Sequence, residues 1–120
     1  MDDVLDRPAL LERIESDADL LGTLVELYEM DSPSMLAEMR SRIASHDGEG
    51  LSHAAHKLKG SLLTLSAVEA ADSALALEKM GRENCLDGAE AALSALEAAL
   101  PRVSEALAQL HAQLRAQASR

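Results

Sequence analysis

"HAAHKLKGS", residues 53–61, sets two histidines, two lysines and a glycine among apolar residues at helical spacing. On a wheel of about 100° per residue, Leu58 marks the centre of a buried face. Leu51, Ala54, Ala55, Leu62 and Leu65 then fall within about 60° of it, which predicts a core-facing helix over residues 48–65. His56 falls at about 160° on the same wheel, so its imidazole is expected in solvent. His53, Gly60 and Leu63 cluster around it on the outer face, Thr64 lies at the margin, and Lys57 and Lys59 flank it. A glycine in mid-helix costs about 1 kcal/mol relative to alanine. Placed at i+4 from His56, Gly60 leaves one side of the imidazole open to approach. Leu63 beside it is a candidate docking spot, although a single exposed leucine is ordinary.

These residue types suit one chemistry. Histidine titrates near neutral pH, so a neutral imidazole nitrogen is available there as a nucleophile. If it accepts a phosphoryl group it gains about two negative charges. Lys57 and Lys59, within a turn, would stabilise that product and help steer an anion in. The bland alternative is a solvated surface histidine. His53 and His56 also form an H-x-x-H pair, but a structural zinc site takes about four ligands. The other nitrogen and sulfur donors, His46, His111 and Cys85, are scattered, so although carboxylates are plentiful a His-based metal-binding helical protein ranks as a lesser alternative, and no metal site is expected.

Working outward, "SHDGEG" breaks the pattern before this helix, with Asp47 placed to cap it, and "TLSAVE" ends it. There Ser66 and Glu69 have the spacing of a capping box for a next helix from Ala67 to about Gly81, a glycine stop. Asn84 in "RENCLD" is a candidate cap for the last segment. Upstream, a short helix is expected near Pro8–Ser16, with Pro8 in its opening turn. Asp17 can then cap a helix through Leu20, Leu21, Leu24, Val25, Leu27 and Tyr28. Ser32-Pro33 could start a new helix, but Leu36, Met39 and Ile43 continue the phase, which favours near-continuity with a kink. Downstream, Leu86, Ala89, Leu93, Leu96, Leu100, Val103, Leu107, Leu110 and Leu114 form a heptad seam. Pro101 interrupts it; an interior proline costs about 3 kcal/mol and bends a helix. The half before Pro101 is expected to pack into the domain. The half after it could overhang and pair with a second chain, making a dimer.

The 120 residues amount to one domain, with 48% hydrophobic and 27% charged residues, so the chain is globular. Tyr28 is the sole aromatic residue, so the core is Leu, Ala, Val, Ile and Met, which suits packed helices better than a sheet. A net charge of −10 repels a polyanion, so no nucleic-acid partner is expected. No apolar run approaches the roughly 20 residues of a membrane span. The acidic start "MDDVLDRP" is unlike a signal peptide. Cys85 is the only cysteine, ruling out an intrachain disulfide and fitting a cytoplasmic location.

At Ala55–Ser61 the sequence "AHKLKGS" resembles the histidine-containing phosphotransfer (HPt) domain, whose signature reads approximately A-H-x-L-K-G-S. "LALEKMGRE" at residues 75–83 also looks like the family, and the resemblance covers roughly residues 10–100. It implies an all-α fold, an antiparallel four-helix bundle, here with a short N-terminal helix and a long C-terminal helix. As one domain over 1–120, the bundle would occupy about 8–100 and a helical extension about 101–117. The resemblance implies a phosphorelay intermediate. His56 would take a phosphoryl group, through Nε2, from the aspartate of one receiver domain and pass it to another. Lys59 would support the phosphoryl charge, with Lys57 secondary. Gly60 would permit receiver docking, with Leu63, His53 and Thr64 around it. The domain would need no cofactor of its own, Mg2+ belonging to the receiver, and would lack kinase activity. Two positions depart from the family. Members often have a small residue where this chain has Leu62, a core position here, and many have glycine where it has Ser66. A helical adaptor or coiled coil built on the 86–114 seam is the alternative, but it leaves Gly60 unexplained. A kinase or phosphatase would want a nucleotide motif or nucleophile triad that the sequence lacks.

Overall fold

Each of the first three helices starts on an aspartate. In the computed structural model, which describes residues 4–118, these are α1 (Arg7–Arg13), α2 (Ala18–Ala44) and α3 (Gly48–Thr64). The Asp6 carboxylate accepts from the Ala9 N–H, Asp17 from Asp19 and Leu20, and Asp47 from Gly50, so each fills donors that the first helical turn leaves free. Two helices follow, α4 (Val68–Arg82) and α5 (Ala89–Ala118), and the described residues contain no strand.

The helix ends share a device that the sequence does not advertise. Glu15, His46, Ser66 and Asn84 all have positive φ, between 52° and 57°. At each, the residue's N–H returns to the carbonyl three back and the next N–H to the carbonyl five back. Ser66 donates to Leu63 O (3.0 Å) and Ala67 to Leu62 O (2.9 Å). This is a Schellman closure, a position where glycine is the usual occupant. It corrects several expectations. Ser66 ends α3 rather than opening a capping box, and α4 has Ala67 at its N-cap with no side-chain cap. Asn84 ends α4 rather than capping α5, and Gly81 lies inside α4. Helix α1 stops at Arg13 because Glu15 and Ser16 both turn left-handed.

Neither proline breaks its helix. Pro33 lies inside the 27-residue α2 and Pro101 inside the 30-residue α5. Both prolines are exposed, while Tyr28, Ser32, Met39 and Ile43 on one helix and Leu96, Leu100, Val103 and Leu107 on the other stay buried across them. Tertiary packing carries the helices through the local penalty.

Helices α2 to α5 form an antiparallel four-helix bundle in which α2 packs on α3, α3 on α4, α4 on α5 and α5 on α2. The α2–α5 register is marked by Arg40 with Glu97, Ser104 with Glu29 at 3.2 Å, and Arg115 with Asp19 at 3.3 Å. Helix α1 closes one end. Leu10 and Ile14 are buried, and the Arg13 guanidinium donates to Leu63 O and Thr64 O, two of the last carbonyls of α3.

The half of α5 after Pro101, whose packing the sequence left open, lies on the bundle. Val103, Ala106, Leu107, Leu110 and Leu114 are buried within the chain, and His111 packs on Gly22. Residues 101–117 therefore belong to the bundle, and the seam available for a dimer on the sequence is used internally. The reason is the unbroken α2. Twenty-seven residues make a helix about 40 Å long, enough to cover the far half of α5.

Candidate functional site

The site begins with two glycines facing each other. Gly81 on α4 is buried against the start of α3. A Cβ there would sit 2.6 Å from Ser52 N and closer still to the Gly48 carbonyl oxygen. A Cβ on Gly48 would sit 2.6 Å from Gly81 O. Ala54 and Ala55 on α3 and Ala70, Ala71 and Ala74 on α4 are also buried, so small residues line both helices. The two backbones approach closely, which places Glu78 of α4 beneath His56 and Lys59 of α3.

Glu78 is the centre of the site. Its side chain is 8% exposed. Oε2 lies 3.1 Å from His56 Nδ1 and 2.9 Å from Arg82 Nη2, and Oε1 lies 2.8 Å from Lys59 Nζ. A buried carboxylate is sustained only with such partners. The bond from Lys59 is the main force holding the Glu78 carboxyl below its ordinary value. Burial opposes it, and the bond from His56 adds to it.

A carboxylate can only accept, so the Nδ1 facing it carries the ring's proton. The lone pair of the neutral imidazole is then on Nε2, which has no hydrogen-bond partner among the described residues. The His56 side chain is 66% exposed. A Cβ on Gly60 would meet nothing within 4 Å, so nothing inside the chain requires glycine there. The space over Gly60 is open.

The wheel's other assignments stand too. Leu51, Ala54, Ala55, Leu58, Leu62 and Leu65 are buried, and His53, Lys57, Gly60, Leu63 and Thr64 are exposed. The Thr64 hydroxyl donates back to Gly60 O at 3.0 Å. His53 lines a shallow groove with Ser52, Arg82 and Asn84. Lys59 differs from its neighbour. It is 20% exposed and held on Glu78, whereas Lys57 points away in solvent with no ion-pair partner among the described residues. No group of three potential metal-ligating side chains forms among the described residues.

Sequence reasoning missed Glu78 and Arg82. A signal existed. Ala74, Glu78 and Gly81 follow i, i+4, i+7 spacing, which puts a lone carboxylate on the buried stripe of α4. A charge at a core position points to a partner and often to a functional site.

The model of the Hpt domain family matches residues 23–117. The chain belongs to the Hpt domain family. The match runs through the far half of α5, well beyond the segment where the resemblance is visible by eye. The chain is also similar to the crystal structure of histidine-containing phosphotransfer protein B (HptB) from Pseudomonas aeruginosa PAO1. The TM-score is 0.85 at 25% identity, covering 94% of this chain and 98% of that one. No curated protein gives a significant match. As an Hpt domain the chain serves histidine phosphotransfer in a phosphorelay, exchanging phosphoryl groups with receiver domains. None of its described helices is long and apolar enough to cross a membrane.

Proposed function

We propose that His56 is the phosphoryl carrier and Nε2 the atom that holds the group. The observation carrying this is the pairing of Nδ1 with a buried carboxylate beneath the ring, on a side chain that is mostly exposed and whose Nε2 has no partner among the described residues, with open space over Gly60 one turn along. Nε2 takes the phosphoryl group from a receiver-domain aspartate and gives it to the aspartate of another response regulator. Lys59, kept beside the ring by Glu78, contributes positive charge near the bound phosphoryl group, and Lys57 adds a weaker field. The receiver docks over Gly60, with Leu63, His53 and Thr64 around the contact. The domain works in the cytoplasm without kinase activity or a cofactor of its own, and Mg2+ comes with the receiver. The adaptor alternative loses its support, since the seam on which it rested is buried.

The test is transfer from a phosphorylated receiver. Wild type is expected to acquire acid-labile, alkali-stable label and His56→Gln none, with both melting alike. Equal labelling of the two proteins would overturn the assignment.

A further inference from the structure

We propose that the negative charge of Glu78, beyond its hydrogen bond, keeps the phosphorylated ring protonated at Nδ1 and so keeps His56 a competent phosphoryl donor. This rests on His56 being the carrier. On arrival, the Nε2 lone pair bonds to phosphorus, the phosphorus–oxygen bond to the receiver aspartate breaks, and its electron pair leaves on that carboxylate. Nδ1 keeps its proton, so a neutral ring becomes a cation bearing the phosphoryl group. That cation forms with Nδ1 3.1 Å from Glu78 Oε2, where an opposite charge favours the charged form. On departure, an oxygen of the incoming aspartate bonds to phosphorus and the Nε2–phosphorus pair returns to Nε2. The leaving group is neutral imidazole, and no proton need be taken up. Had Nδ1 lost its proton first, the leaving group would be an imidazolide anion, a far poorer one.

The cluster's composition favours a role for charge over a role for geometry alone. An amide oxygen at position 78 could accept from Nδ1 and select the same tautomer. It would not need two cations. Here Lys59 from α3 and Arg82 from α4 both serve one carboxylate that is 8% exposed. Keeping a charge in so buried a place requires such partners. The other titratable residues within a turn of His56 on α3 are His53 and Lys57, and Lys79 adjoins Glu78 in sequence on α4, all three exposed. Helix α2 brings Asp31 to the Ser61 and Thr64 side of α3. Of the groups on these three helices, Glu78 is the carboxylate in contact with the ring.

The experiment uses phosphoramidate, which phosphorylates histidine without a receiver, on wild type, Glu78→Gln and Arg82→Met. His56→Gln identifies the His56 resonances. Nitrogen-15 and phosphorus-31 NMR follow each protein across pH. Unphosphorylated wild type and Glu78→Gln are both expected to show the Nδ1–H tautomer. After phosphorylation, the pH at which Nδ1 loses its proton should fall by about one unit in Glu78→Gln. Outward transfer to a receiver should then fail at correspondingly lower pH. Arg82→Met, which removes a competing cation from the same oxygen, should move the midpoint upward. Equal midpoints in wild type and Glu78→Gln would overturn the proposal. If Glu78→Gln does not fold, an unmoved midpoint in Arg82→Met would do so. Since the titration needs no receiver, a failed relay leaves it readable, and a failed titration leaves receiver labelling of His56 intact.

Discussion

The α3–α4 contact and the α2–α5 contact belong to one bundle but are held by different means. Between α3 and α4 the surfaces are glycine and alanine, two backbones nearly touch, and a buried carboxylate ties three cationic or potentially cationic side chains. Between α2 and α5 a long row of leucines does the work. Exposed pairs such as Arg115 with Asp19 mark the register, and surface pairs of that kind contribute little. The first contact fixes single atoms and tolerates no added volume. The second is long and redundant, and it supplies stability without touching the site. The chemistry sits where packing is least forgiving, because a hydrogen bond at 3.1 Å depends on how closely two helix axes approach.

The largest effect that would break this contrast comes from Gly81→Leu. A side chain at that crossing has no free volume, so a loss of about 3 kcal/mol is expected, and transfer should disappear even where folding survives. Urea unfolding together with a receiver assay would check it, and a stable, active variant would deny the tight crossing. Leu107→Ala, buried in the seam, should cost a similar 2–4 kcal/mol or about that. Its transfer rate per folded molecule should stay near wild type, which separates the two contacts cleanly. Next in size, Ser66→Gly should stabilise by about 1 kcal/mol. It relieves a left-handed φ of 57° and removes a buried hydroxyl that has no hydrogen-bond partner. A melting temperature that stays level or drops would contradict this account of the turn.

The smallest effect is a pH dependence. The folded Glu78 carboxyl is held below its ordinary value of about 4.3. Its contribution to stability is therefore full above the unfolded value and is lost as pH falls through the lower folded value. The part of the stability gap between wild type and Glu78→Gln that comes from ionisation of Glu78 should narrow as pH falls below about 5. Denaturation midpoints measured down to pH 3 would show it, and a gap that widens toward acid would reverse the sign.

Much of the site was legible because it depends on one helix. Placing Leu58 inward puts His56 outward by geometry alone, and Gly60 follows on the same face. Glu78 was not legible in the same way. It is one of many acidic residues in the chain, and its partners lie 19 and 22 positions away on another helix, reached only through the Gly48–Gly81 crossing. Ser66 and Glu69 carry the correct spacing for a capping box, but the preceding helix claims the serine first to close its own carbonyls. At Pro33 and Pro101 the local rule is real and the buried faces on either side outweigh it.

By itself the sequence determined periodicities, and with them which face of each helix is apolar, that Asp17 and Asp47 start helices and which histidine points to water. These follow from bonds and angles within one segment. Only the tertiary structure decided which faces meet. It turned a heptad seam into an internal contact rather than a dimer interface, and a surface histidine into one whose tautomer is set by a buried carboxylate. A face has a direction but no address, and the partner is chosen by the lengths of the other helices and by where two glycines let backbones touch.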